Sequence, residues 1–251
     1  MHETTPPVPL LAVAHGSRDP RAAQAVEAVF EQVRRLRPGL DVRVSYLDHT
    51  APSASDALDG LASEGAGEAV VLPALLTAAF HSRTDIPEVL ARSREESPWL
   101  RLHYADTLGP HPLLLGAVER RLAEAGARPG PDTALVLASA GSSDPRANAI
   151  VAAAAAELGR RGPWREAAAA YASAAGPRPG EAVAALRERG ARRVAVATYL
   201  LAPGLFADRV RAQSLDAGAD TVSEALQDAP ELAQVAVERY DAALARRHAP
   251  V

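Results

Sequence analysis

The chain has 251 residues, 48% of them hydrophobic, with a formal net charge of −4. That is enough apolar material for one large or two small globular cores, and it lacks the basic excess that general nucleic-acid binding requires. There is no cysteine, and all 27 basic residues are arginine, which excludes thiol nucleophiles, thiolate zinc sites, iron–sulfur clusters, disulfides, Schiff-base lysines and the lysine of a Walker loop.

The leader "MHETTPPVP" has neither the basic start nor the apolar stretch of a signal peptide, and no run approaches the roughly 20 apolar residues of a membrane span. A cytoplasmic protein that binds no membrane is expected. "LLAVA" (10–14) then predicts a short buried strand. "DPRAAQAVEAVFEQVRRL" (19–36) predicts a helix, with Asp19 as its cap, Pro20 in its first turn, and Val26, Val29, Phe30, Val33 and Leu36 as one apolar stripe. Further strands are predicted at 41–47, 68–76 and 100–105, and further helices at 52–64, 84–95 and 111–126. Strands alternating with helices imply a parallel sheet flanked by helices.

The second half repeats the first. Gly16, Asp19, Pro20 and Arg21 match Gly141, Asp144, Pro145 and Arg146 at a spacing of 125, as do Tyr46 with Tyr171, Pro52 with Pro177, and Leu75-Leu76 with Leu200-Leu201. Near the end, "AVERR" (117–121) echoes "AVERY" (236–240). The reading is a tandem duplication of two α/β domains, each a four-stranded parallel sheet, with "GARPGPD" (126–132) as linker and domains at 1–128 and 129–251.

In such sheets ligands bind at the carboxyl ends of the strands. His15 follows the first strand, Asp48 and His49 follow the second, His81 comes five residues after the third, and Asp106 follows the fourth. At the 125 spacing His15 becomes Ala140, Asp48 becomes Ser173 and His81 becomes Phe206. A residue needed for folding would be needed in both copies, so this asymmetry marks His15, Asp48 and His81 as functional. The plain alternatives are a backbone-bonded histidine at the helix start for His15, a surface histidine for His81, and a turn former before Pro52 for Asp48.

The remaining histidines have simpler readings. His49 is secondary and would point away from its neighbour, His103 is structural within a strand, His111 marks a helix start, and His2 and His248 lie in the tails. Arg21 is repeated as Arg146 and reads as structural, whereas Arg18 and Arg83, replaced by Ser143 and Asp208, are candidates for gripping an anionic substrate, with Gly16 and Ser17 beside them. "AHGSRDP" does not form the glycine pattern of a dinucleotide site.

"AHGSRDPRA", "SYLDHTAP", "LPALLTAAFHSRTDIP" and "LGPHPLL" together resemble the sirohydrochlorin chelatase family, the class II chelatases, in its long tandem-duplicated form. The resemblance covers nearly the whole chain. It implies insertion of a divalent metal, Co2+ or Fe2+ with Ni2+ as a further candidate, into sirohydrochlorin in sirohaem or cobalamin synthesis, without ATP or another cofactor. It also implies an active site in a cleft between the domains of a monomeric pseudo-dimer, in which the first domain carries the catalytic residues and the second is a degenerate repeat. The family's two functional histidines fall on His15 and His81. Its carboxylate, commonly Glu, falls on Asp48, completing a metal-ligand set of His15, His81 and Asp48. Three readings compete: a non-enzymatic metal-binding protein, a tetrapyrrole carrier, and a histidine-phosphatase-like hydrolase. The hydrolase is disfavoured by Ala14, where such enzymes place arginine.

Overall fold

The computed structural model describes residues 7–77 and 84–246. Strand and helix alternate in the order β1 (Leu10–Ala14), α1 (Pro20–Leu36), β2 (Val42–Tyr46), α2 (Ala54–Ser63), β3 (Glu68–Pro73), α3 (Ile86–Glu96), β4 (Arg101–Tyr104) and α4 (Pro112–Glu124). The second half follows with β5 (Thr133–Ser139), α5 (Pro145–Arg161), β6 (Ala167–Tyr171), α6 (Pro179–Glu188), β7 (Arg193–Thr198), α7 (Leu205–Asp216), β8 (Thr221–Val222) and α8 (Pro230–Arg246). β3 is shorter than expected. It ends at Pro73, where Leu75 N–H turns back to donate to Pro73 O at 2.8 Å.

Two four-stranded parallel sheets result, ordered β2-β1-β3-β4 and β6-β5-β7-β8. In the first, Leu10 stands opposite Val42 on one side and Val70 on the other. Side chains of a strand alternate between faces. Leu11, Val13, Ala69 and Val71 share a core with Leu58 and Leu61 of α2 and Ile86 and Leu90 of α3, while Leu10, Ala12, Val70 and Leu72 are buried on the opposite face. The α1 stripe is buried at Val26, Val29, Phe30 and Val33, but Leu36 is half exposed because the helix ends there.

The chain folds as two compact units, residues 1–109 with 230–251 and residues 110–229. The expected boundary at 128/129 separates the sequence repeats, but packing divides the chain elsewhere. α8 lies against α1, β3 and β4 of the first unit, and α4 lies against β7 of the second. In the first unit Tyr240 donates to Val8 O at 2.7 Å, Arg239 donates to Thr107 O at 2.8 Å, and Arg246 pairs with Asp106 at 3.0 Å. In the second, Arg121 donates to Leu226 O at 2.8 Å and pairs with Asp228 at 2.6 Å. A helix buries its apolar stripe on whichever sheet offers a complementary face, and periodicity alone does not name that sheet. No described helix is long and apolar enough to cross a membrane.

Candidate active site

The turn leaving β1 is built around Gly16, at φ +91°, where an added Cβ would lie 1.7 Å from the carbonyl oxygen of Asp48. Only glycine fits so close an approach in that conformation. The two turns are joined by Leu47 N–H donating to Ala14 O and Asp48 N–H donating to His15 O, both at 3.0 Å. Ser17 Oγ accepts from Asp19 N–H at 3.0 Å, and Asp19 caps α1 by accepting from Arg21 N–H at 2.9 Å. The side-chain hydrogen bond from the Arg21 guanidinium, reinforced by that backbone bond, holds the Asp19 carboxyl below the usual carboxylate range. Tyr46 is buried beneath the turn, and that burial, with the Glu27 carboxylate adding to it, pushes its phenol up to about 12.

The second copy repeats this backbone bond for bond. Gly141 has φ +84° with its Cβ position 2.1 Å from Ser173 O; Ser173 N–H donates to Ala140 O at 2.8 Å, and Asp144 N–H donates to Ser142 Oγ at 3.0 Å. Beyond the second strand, Thr50 N–H donates to Asp48 O at 2.7 Å around His49 (φ +59°), and Ala175 N–H donates to Ser173 O at 2.7 Å around Ala174 (φ +57°). A positive φ at a non-glycine residue carries strain. Here the strain belongs to the scaffold, since both copies keep it. The same turn thus presents His15 and Asp48 in one copy and Ala140 and Ser173 in the other, so the imidazole and carboxylate are not required to form it.

His15, Leu47 and Asp48 line an open cavity of about 300 Å³ together with Asp85, Glu88, Val89 and Arg92 from the start of α3. The cavity lies at the carboxyl ends of the strands, where the chain leaves β1 toward β2 and β3 toward β4, the switch point at which doubly wound sheets bind ligands. Asp85, Glu88 and Arg92 were not singled out from the sequence. Their signal was the spacing 85, 88, 89, 92, which sets four residues on one helical stripe just after "FHSR".

Asp48 is exposed, and its Oδ1 accepts from His49 N–H at 2.8 Å. The expectation that His49 points elsewhere is corrected: the left-handed backbone at His49 curls its ring back, leaving Nε2 3.2 Å from Asp48 Oδ2. Gly16, Ser17 and Arg18 are not among the described lining residues; Gly16 allows the close approach of Asp48 O, and the bonds of Ser17 serve the turn. Arg21 pairs with Asp19 at 2.6 Å, as Arg146 does with Asp144 at 3.1 Å. His103 Nε2 lies 2.7 Å from Glu68 Oε2, and His111 caps α4 by accepting from Leu113 N–H. His81 and Arg83 lie outside the described residues, as do His2 and His248. Among the described residues, no group of three or more histidines and carboxylates is placed to hold a metal ion.

Fold and site together define a tandem parallel α/β protein with a histidine–carboxylate cavity at the strand ends of its first unit. The CbiX family profile matches residues 9–125 and again 134–243, and the chain belongs to that family. It is 28% identical over 204 residues to the sirohydrochlorin cobaltochelatase of Priestia megaterium, covering 80% of this chain and 66% of that one, slightly under two thirds of its length. It is also 28% identical over 201 residues to the sirohydrochlorin ferrochelatase of Bacillus subtilis (strain 168), covering 80% of this chain and 77% of that protein. Among solved structures, SirB from Bacillus subtilis with Fe3+ matches with a TM-score of 0.83 at 25% identity, covering 95% of this chain and 96% of that one. The sirohydrochlorin chelatase SirB of Bacillus subtilis subspecies spizizenii in complex with cobalt has the same fold, at a TM-score of 0.78 and 23% identity over 93% of this chain and 94% of that one.

Proposed function

We propose that this protein is a sirohydrochlorin chelatase that inserts Co2+ or Fe2+ into the macrocycle, using His15 and His81 with Asp48. The observation that carries the reading is the pair of turns with matching backbone bonds, of which the one bordering the cavity bears His15 and Asp48 and the other Ala140 and Ser173. Family membership and the chelatase names of the relatives agree with it.

The chemistry asks little of the protein beyond what this cavity offers. The incoming divalent ion exchanges water and protein ligands for the four nitrogens of the macrocycle, and the two N–H bonds break as the metal binds, so one M2+ enters for two H+ released. Neutral imidazole suits Co2+ and Fe2+ and accepts protons near neutrality. Asp48, Asp85 and Glu88 outnumber Arg92, giving the cavity an anionic character that draws divalent cations. An incomplete protein ligand set leaves positions open for the pyrrole nitrogens, and weak ligation lets the metal go. Arg92 at the cavity, with Arg18 and Arg83, offers guanidinium groups to the carboxylates of the substrate. No ATP enters this scheme, and the protein works as a monomer.

The test is anaerobic absorbance of sirohydrochlorin mixed with the protein and, separately, Co2+, Fe2+ or Ni2+, corrected for the spontaneous reaction. Catalytic conversion to a metallated spectrum is expected. Stoichiometric metal or tetrapyrrole binding without turnover would replace the enzyme with a carrier, and hydrolysis of a generic phosphate ester would replace it with a hydrolase.

A further inference from the structure

The two copies close the same turn with different hardware. In the first, the Thr50 hydroxyl clasps the backbone of Ser17, accepting from its N–H at 3.1 Å and donating to its carbonyl at 3.0 Å. In the second, the equivalent backbone groups of Ser142 are clasped by the Asn148 amide, whose Oδ1 accepts from N–H at 2.9 Å and whose Nδ2 donates to the carbonyl at 2.7 Å. At the 125 spacing Thr50 corresponds to Ala175, and Asn148 to Ala23.

The difference lies in what each clasp connects. Asn148 belongs to α5, so its amide ties the turn to the helix that the turn itself introduces. Thr50 belongs to the turn after β2, so its hydroxyl ties the segment just past His15 to the segment just past Asp48. That cross-tie adds to the backbone bond from Asp48 N–H to His15 O, and it exists in the copy where both turns deliver a side chain to the cavity. The copy with Ala140 and Ser173 closes its turn equally well without it.

We infer that Thr50 is a positioning residue whose hydroxyl fixes His15 and Asp48 relative to one another. The inference rests on the proposed chelatase reading for its kinetic consequence but not for its structural one. Chemistry between two groups is sensitive to their separation, and a misplacement of about 1 Å can cost on the order of a hundredfold in rate. Turn closure is a stability matter that either clasp satisfies.

The experiment compares Thr50→Val, Thr50→Ser, Asn148→Ala and the transplant Ala23→Asn/Thr50→Val, all in the full chain. Each is measured for cobalt insertion into sirohydrochlorin, thermal stability, and the Cε1–Hε1 NMR signal of His15, assigned by its loss in His15→Ala. Thr50→Val is expected to lower kcat by about 10- to 100-fold with KM nearly unchanged, and to shift or broaden the His15 signal. Thr50→Ser keeps the hydroxyl and retains both the rate and the signal. Asn148→Ala loses stability but keeps both. The transplant closes the first turn from its own helix, so it regains stability and stays slow; it also carries the test if Thr50→Val alone does not fold. Recovery of full turnover in the transplant, wild-type kcat in Thr50→Val, or an unmoved His15 signal in Thr50→Val would each overturn the inference. If the wild-type protein inserts no metal, the chelatase reading fails, and the His15 signal still decides the role of Thr50.

Discussion

Replacing Gly16 with alanine tests whether the two strand-end turns are in contact. The new Cβ would sit 1.7 Å from Asp48 O and 3.3 Å from Tyr46 Cβ, and real Cβ atoms essentially never come within 3.0 Å of another heavy atom, so the turns must part by more than an ångström. An L-residue at φ +91° costs about 1–2 kcal/mol by itself. Parting the turns also strains Asp48 N–H to His15 O and both bonds of the Thr50 clasp, each worth about 0.5–1.5 kcal/mol net. The expected loss is about 3–6 kcal/mol, a large share of the stability of an ordinary domain. Gly65→Ala is the reference, because its φ is +83° with nothing within 4 Å of the added Cβ, leaving only the conformational cost of about 1–2 kcal/mol. Gly141→Ala meets Ser173 O at 2.1 Å and should resemble Gly16→Ala. Urea titration followed by circular dichroism reads all three. If Gly16→Ala costs no more than Gly65→Ala, the turns do not meet as described and the geometry argued for His15 and Asp48 falls with them.

His15→Ala should lower metal insertion by about 100-fold or more while leaving stability within about 1 kcal/mol, and Asp48→Ala should also slow it; Ser173→Ala at the mirror position should not. Matched kinetics and melts check this, and equal damage from Ser173→Ala would refute the division of labour between copies. Insertion should fall as pH drops below the imidazole reference value of about 6.5, because protonated imidazole neither binds metal nor accepts a proton, and each further unit removes about tenfold of the neutral form. A corrected rate that stays flat from pH 8 to pH 5 would remove neutral histidine from the mechanism. Deleting residues 230–251 should unfold the first unit although the cut is remote in sequence from its motifs, since α8 buries Leu232, Val235 and Tyr240 there. Limited proteolysis should then cleave within 7–109 before 110–229, and a protected, active first unit would contradict that packing.

Much of this protein was legible in its sequence because the signals are short-range. Asp19-Pro20 fixes the start of α1, "LLAVA" is buried along its whole length, and the 125-residue register places Ala140 on the same turn as His15. Capping, periodicity and glycine-demanding turns act over a few residues, so one copy of the pattern suffices to read them, and the second copy shows which side chains the pattern can lose. Tertiary structure decided the rest. It put α8 on β3 and β4 and α4 on β7, a choice between two similar apolar faces that local pattern does not distinguish. It turned Asp85, Glu88 and Arg92 toward the cavity, since only the packing of Ile86 and Leu90 into the core determines which stripe of α3 is left facing His15. It also brought Thr50 to Ser17, a contact between residues 33 apart that is set by two strands meeting side by side and so depends on the register of the sheet rather than on any neighbouring residue in the chain.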